Sequence, residues 1–339
     1  MYRVAELASE PAVGRGEPVD LEIIIPVFNE ESALENLFKR IETVFDAPAR
    51  ESARIRSLRL LLIDDGSTDC TARSIAERIR VGLPARLIRL SRNFGHQAAL
   101  CAGLRNSSAG LVAIMDADLQ DPPEVILEML VAWRNGADVA FGVRRNRKEG
   151  FLKKLAYKGF YRIYSFLAEV DVPLDSGDFS LMDRKVVDAM EELPERLRFP
   201  RGLRSWVGFR HVAVPYERLA RRVGESKYDW RSLYHLATDG IAAMSTRPLR
   251  IVQFSTFVSA LLTLLLGAGL ILRIWFGGPL EPFAYWSLVV CLAILATSSV
   301  NLACLYIFSA YIGRTYLEMK GRPTYIILET IEPAEESTT

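Results

Sequence analysis

The sequence predicts an α/β domain with a mostly parallel central sheet, followed by two membrane-spanning helices. Three observations predict this. Short β-rich runs alternate with helical periodicity through the first half of the chain. That βαβα order is the pattern of a sheet covered by helices on both faces. Two long stretches towards the C-terminus carry almost no charge.

The length of 339 residues leaves room for one large or two ordinary domains. With 42 basic and 41 acidic residues the charge is nearly balanced, which argues against bulk polyanion binding and gives no nucleic-acid partner. Residues 1–20 hold Pro, Gly and charges without an apolar core, so no cleavable signal peptide is expected. The four cysteines (Cys70, Cys101, Cys291, Cys304) form no C-x-x-C pair and read as reduced packing residues.

The predicted strands are Leu21–Val27, Leu58–Ile63, Arg86–Leu90, Leu111–Met115 and Asp138–Val143. Between them, helical periodicity covers about Glu30–Phe45, Thr71–Arg80, Gly95–Asn106 and Glu124–Arg134. No G-x-G-x-x-G follows any strand, so the dinucleotide fingerprint is absent.

The first strand closes on Pro26-Val27-Phe28-Asn29-Glu30, and Pro26 marks a strand end because it removes a ladder donor. The second closes on Asp64-Asp65-Gly66-Ser67-Thr68-Asp69. Ser67, Thr68 and Asp69 suit helix capping. Of the two leading carboxylates, one can accept from a nucleobase or ribose while the other orders the turn. The third run ends Ser91-Arg92-Asn93-Phe94-Gly95-His96, again polar groups on a tight turn. In the fourth, Leu111–Met115 breaks into Asp116-Ala117-Asp118-Leu119-Gln120-Asp121-Pro122-Pro123-Glu124. The prolines stop the strand, and a helix starts at Glu124. Two carboxylates and an amide oxygen thus stand at the carboxyl end of a strand, where open α/β sheets bind ligands. Oxygen donors suit a hard cation that keeps substrate phosphates in its shell, so Asp116, Asp118 and Gln120 read as part of a metal–diphosphate site. The plain alternative for a bare D-x-D is acid solvating a strand end.

The four motifs V-F-N-E, D-D-G-S-T-D, S-R-N-F-G-H and M-D-A-D-L-Q-D-P-P-E, in this order and spacing, resemble the family 2 glycosyltransferases of GT-A fold. More narrowly they are similar to the polyprenyl-phosphate glycosyltransferases, the branch with the bactoprenol glucosyltransferases and dolichyl-phosphate mannose synthase. The resemblance runs through about Leu21–Tyr228. It implies an inverting transferase that binds a nucleotide sugar, UDP-linked in preference to GDP-linked, through Mg²⁺ or Mn²⁺. It also implies site residues: Pro26, Val27, Asn29, Glu30, Asp64, Asp65, Asn93 and Asp116 for the nucleotide, and Asp116, Asp118 and Gln120 for metal and diphosphate. The acceptor it implies is a polyprenyl phosphate.

After the fifth strand the chain turns basic at Arg144-Arg145-Asn146-Arg147-Lys148. Residues 151–170 form a basic, aromatic, amphipathic pattern, read as a helix in a membrane interface; the alternative is a surface helix packed on the sheet. In Asp175–Arg184 the resemblance makes Asp178 a candidate catalytic base, against the simpler reading that it pairs with an arginine. Phe209–Pro215 is a further strand pattern. It leads to Arg221–Tyr228, where cations around Gly and Ser suit phosphate oxygens. There Arg222, Ser226 and Lys227, with Arg144, are assigned to acceptor phosphate, and Arg222 and Lys227 also to catalysis. His96, His211 and His235 have no ligand spacing.

Residues 229–250 read as a second interfacial helix, then Phe254–Leu272 and Ala284–Gly313 as transmembrane helices. Arg247 and Arg250 precede the first span, and Arg314, Lys320 and Arg322 follow the second. The positive-inside rule then puts both termini and the catalytic domain in the cytoplasm. Arg273 can snorkel to the far interface. The domains expected are an extension at 1–20, the sugar-transfer domain at 21–228, the interfacial helix at 229–250, the span pair at 251–313 and a tail at 314–339. The tail segment Thr324–Ile331 is β-rich and needs a sheet edge. It can fold back onto its own catalytic domain or cross to a neighbour's sheet edge; the second route is the one expected, and a strand exchanged between subunits would make the protein a homo-oligomer, a tetramer or dimer. A processive polysaccharide synthase is the rival enzyme, but none of Gln97, Gln120 and Gln253 begins its Q-x-x-R-W motif. A scaffold that only binds a nucleotide sugar is the non-enzymatic rival.

Overall fold

The computed structural model describes residues 3–4, 15–145, 176–196, 198–218, 245–276 and 283–333. Within them the chain runs β1 (Arg3–Val4), β2 (Val19–Val27), α1 (Glu31–Val44), α2 (Ala47–Ser52), β3 (Ile55–Asp64), α3 (Thr71–Arg80), β4 (Ala85–Leu90), α4 (His96–Asn106) and β5 (Leu111–Ile114). It continues as α5 (Glu124–Arg134), β6 (Val139–Arg145), β7 (Ser176–Asp183), α6 (Arg184–Glu191), α7 (Pro200–Trp206) and β8 (His211–Glu217). The last elements are α8 (Arg247–Phe276), α9 (Phe283–Met319) and β9 (Ile327–Ile331).

All the described strands join one sheet, in the order β1-β8-β6-β7-β5-β2-β3-β4-β9. The pairs β1/β8, β8/β6, β5/β2, β2/β3 and β3/β4 are parallel; β6/β7, β7/β5 and β4/β9 are antiparallel. β2 is buried on both faces from Leu21 to Val27, which is why, Glu22 apart, it reads as an apolar run. Period-2 alternation divides its contacts. Ile23 and Ile25 face the core shared with α1, α3 and α5, while Ile24 faces the one shared with α4, α6 and α7. α4 lies close to β2 because Gly103 has no side chain: a Cβ there would stand 2.4 Å from Ile24 Cγ2.

The topology carries β2, β3, β4 and β5 to the same rim. Register pairs Val27 with Asp64 and Asp64 with Arg89, so the turns after these strands stand side by side. The parallel central strands match the expected fold. The short helices α2, α6 and α7 lie outside the expectations.

α8 and α9 are long and apolar enough to cross a membrane, with mean hydropathy of 1.9 and 2.0 over their candidate spans, none of it buried in the protein. Ser255 Oγ lies 3.2 Å from Cys304 Sγ between them, and Tyr311 donates to the Ser245 carbonyl at 2.7 Å. The helix at Arg247 takes over the end of the expected interfacial segment. Residues 229–244 of that segment, residues 151–170, Arg147, Lys148, Arg222, Ser226, Lys227, the hairpin at 277–282 and the Arg273 side chain lie outside the described residues.

The tail strand finds a sheet edge. β9 pairs antiparallel with β4 of its own chain and closes that edge. The physical reason is reach. Seven residues separate α9 from β9, and at ~3.3–3.6 Å each they span the distance home at a high effective concentration. Arg196 pins the path: its amide donates to Glu318 Oε2 at 3.1 Å, its guanidinium to the Gly321 carbonyl, and its own carbonyl accepts from Thr324 Oγ1 at 2.7 Å.

Candidate active site

The rim is a set of turns tied to one another. Asp65 donates its amide to the Val27 carbonyl at 2.9 Å, continuing the β2–β3 ladder. Asn29, at φ 53°, turns the chain so that its amide donates to Ser67 Oγ at 2.9 Å, while Oδ1 accepts from the Thr68 amide at 2.8 Å. Asn is one of the few side chains that tolerate this backbone region. The Glu30 amide donates to Thr71 Oγ1 at 3.0 Å. Gly66, at φ +72°, is required twice: by its backbone, and because a Cβ would stand 2.4 Å from the Arg92 carbonyl carbon.

The two adjacent carboxylates divide their work. Asp64 has no exposed surface; Oδ1 accepts from the Ser67 amide at 3.1 Å, and Oδ2 faces Arg89 Nε at 3.4 Å. Asp64 therefore orders the turn. Asp65 accepts from the amides of Phe94 at 2.7 Å and Gly95 at 2.9 Å, locking the Ser91–Gly95 turn to the second strand end. Burial pushes the Asp65 carboxyl up, and the neighbouring Asp64 adds to it, against the two amide hydrogen bonds. Pro26, Val27, Asn29 and Asp65 are thus gathered at one mouth, and Asn93 stands exposed on the turn beside them.

At the end of β5 the acids crowd. Asp118 Oδ1 accepts from the Gln120 amide at 3.0 Å, around Leu119 at φ 55°. Burial pushes Asp116 up to about 6; His96 opposes this, and Asp121, Asp178 and Asp118 reinforce it. Like charges gathered this closely favour a cation among them. Among the described residues no three acidic, histidine or cysteine side chains form a closed metal cage. Asp116, Asp118 and Gln120 bring hard oxygen donors to this strand end, the donor type that Mg²⁺ and Mn²⁺ take.

Sequence reasoning passed over three partners. His96 Nε2 stands 3.5 Å from Asp178 Oδ2 and 3.9 Å from Asp116 Oδ1, bridging β7 and β5 from the start of α4. Arg201 of α7 reaches Asp178 with both Nε and a terminal nitrogen, at 3.4 and 3.3 Å. Arg204, one turn on, lies 3.4 Å from the Gly177 carbonyl. Burial works against the Asp178 charge, but Arg201 and His96 outweigh it and hold this carboxyl far below the usual range. Burial likewise opposes charge on His96, and Asp178 and Asp116 more than offset it, raising its pKa. The available signal was the three-residue spacing of Arg201 and Arg204, which places them on one face of α7.

Asp121 is buried beneath this cluster. It accepts the Tyr216 hydroxyl and lies 3.9 Å from Arg144 and 3.8 Å from Arg218. Arg144 Nε also donates to Tyr216 Oη at 3.3 Å. Gly142 leaves room for Tyr216, since a Cβ there would be 2.7 Å from its ring. Arg144 is thus set at the end of β6, next to the acidic rim. A separate cleft of ≈ 1070 Å³ behind α4, lined by Arg105, Arg184, Glu191, Arg196 and Tyr325, includes none of these rim residues.

The family model described as "Glycosyl transferase family 2" matches residues 22–190, a span that contains all four rim turns. Over 311 residues the chain is 38% identical to "Uncharacterized glycosyltransferase YkcC" of Bacillus subtilis (strain 168), covering 91% of this chain and 93% of that protein. The chain belongs to glycosyltransferase family 2. It is also 36% identical over 310 residues to "Bactoprenol glucosyl transferase" of Shigella phage SfII, covering 91% of this chain and 97% of that one. Among solved structures it is similar to mannosyltransferase PcManGT from Pyrobaculum calidifontis in complex with GDP-Man and Mn²⁺, at 18% identity, 93% and 90% coverage and a TM-score of 0.49. This family 2 member is a glycosyltransferase, and its mixed, mostly parallel α/β sheet is the GT-A architecture.

Proposed function

We propose that this protein is a membrane-anchored, inverting glycosyltransferase that moves one hexose, with glucose favoured, from a UDP-sugar to a polyprenyl phosphate. The observation that carries the reading is the clustering of Asp116, His96, Asp178 and Arg201 at one rim of a chain that ends in two span-length apolar helices. The 36% likeness to bactoprenol glucosyl transferases over nearly the whole length supports the lipid acceptor.

In this reading the Val27–Glu30 and Asp65–Ser67 turns hold the nucleoside, with Asn93 at their edge. Asp116, Asp118 and Gln120 would hold a divalent ion, Mg²⁺ or Mn²⁺, which when bound supplies charge stabilisation to the donor diphosphate. Arg144, with Arg222, Ser226 and Lys227, orients the acceptor phosphate. That phosphate is already anionic, so it needs no strong base. The bidentate hold of Arg201 and the contact with His96 keep Asp178 ionised and make it a poor proton acceptor. Asp178 instead fixes two cations beside the reacting phosphates, where pre-set charge lowers the barrier. The spans hold this rim at headgroup height, with the catalytic domain on the cytoplasmic side.

The test is turnover of radiolabelled nucleotide sugars by the detergent-solubilised protein. Sugar appearing on added polyprenyl phosphate, one per lipid, is the expected result. Product that grows into polymer, or hydrolysis indifferent to the lipid, overturns it.

A further inference from the structure

The C-terminal strand meets the rim as well as closing a sheet edge. Asp64, Arg89 and Glu329 are register partners on β3, β4 and β9, in one row across three strands. Arg89 spans the row: Nε lies 3.4 Å from the buried Asp64 carboxylate, and Nη1 donates to Glu329 Oε1 at 3.1 Å. Asp64 in turn holds the Ser67 amide, and Ser67 Oγ holds the Asn29 amide. A second route runs through the backbone. The Ser91 amide donates to the Ile326 carbonyl at 2.9 Å, and Ser91 opens the turn whose Phe94 and Gly95 amides bind Asp65. Gly66 packs directly on Arg92 within that turn, so the two routes meet.

We propose that the tail strand is part of the donor site, with Glu329 a positioning residue that acts through Arg89 on Asp64. The inference rests on the rim being the donor site. Its logic is that of a cation held at both ends. Asp64 Oδ2 is buried without a hydrogen bond, and Arg89 Nε at 3.4 Å is the cation held against it. Without Glu329 the half-exposed guanidinium is drawn to water, and a buried carboxylate left uncompensated is costly. The turn carrying Ser67 then relaxes, and with it the mouth that receives the nucleoside. The strand that supplies Glu329 is tethered by seven residues to a span-length helix, so the donor pocket is complete only while that anchor's tail is seated.

The experiment titrates the full-length protein in detergent with UDP and with GDP, each with Mn²⁺, and follows transfer kinetics in parallel. Glu329→Gln is expected to weaken nucleotide binding about 5-fold and to raise the donor KM alike, leaving kcat and the lipid KM unchanged, as for a partly exposed ion pair. Glu329→Asp recovers part of the loss. Glu332→Gln, on the same tail and 3.8 Å from Arg86, leaves binding unchanged. Deleting residues 323–339 weakens binding by more than Glu329→Gln does. Wild-type affinity in Glu329→Gln, or a loss no greater than in Glu332→Gln, overturns the inference. Asp65→Asn separates the two levels. If it weakens nucleotide binding while the tail variants do not, only the tail inference falls; if it binds as wild type, the donor-site reading falls with it.

Discussion

Asp178 and Glu22 show opposite outcomes of burying a carboxylate. Asp178 meets Arg201 and His96 and stays charged. Glu22, also buried, has one amide donor, from Ser108 at 3.2 Å, and more distant arginines; burial dominates and raises its pKa. The folded state therefore keeps a proton on Glu22 after the unfolded chain has lost it near the ordinary value of 4.5. More protons are bound folded than unfolded in that window, so the contribution of Glu22 to stability falls as pH rises through it. Glu22→Gln should remove this loss, giving a melting temperature at neutral pH equal to or above wild type and a flatter pH profile, read by thermal unfolding from pH 4 to 8. The metal assignment has a sharper test. Asp118→Asn should cut transfer by ~100-fold or more, since ion-borne charge stabilisation is lost. Expression and membrane insertion should be normal; near-wild-type, metal-dependent turnover would remove Asp118 from the metal shell.

At the scale of elements, the site depends on how turns pack against turns. Gly66→Ala would force a Cβ into the Arg92 backbone and a left-handed residue without glycine's freedom, costing ~2 kcal/mol or more. Denaturant unfolding should show that loss, with nucleotide affinity reduced as the Ser91–Gly95 turn is displaced. The segment 221–228 gives a contrasting case. Arg222→Ala and Lys227→Ala should each lower transfer ~10-fold or more while changing stability by less than ~0.5 kcal/mol, because solvated charges contribute little to folding. Unchanged kinetics in both variants would return that segment to a plain charge run.

At the scale of the molecule, the proposed topology can be checked with the protein's own thiols. Cys70 is exposed on the catalytic domain, whereas Cys101 is buried and its thiol is pushed up to about 12 by that burial. A membrane-impermeant thiol reagent should label Cys70 in inside-out vesicles and spare it in right-side-out ones, leaving Cys101 unmodified in both. Labelling of Cys70 from the outside would invert the topology.

The parallel sheet, the four rim motifs, the two span-length helices and the membership of a transferase family were all legible in the order of residues. These are readable because they are local. Ile23-Ile24-Ile25 is a buried strand whatever surrounds it, and Asp116-Ala117-Asp118-Leu119-Gln120 keeps its order of donors wherever the strand ends. Which groups meet came from the packing of the fold. His96, Arg201 and Asp178 come from three elements spread over about a hundred residues, and no spacing predicts that they converge. It also assigned Asp64 to the turn, because complete burial is a property of packing that two adjacent carboxylates do not reveal. And it returned β9 to its own β4, placing Glu329 beside Arg89 across 240 residues of chain. A strand pattern states that an edge is needed; the length and anchoring of the chain between decide which edge is within reach.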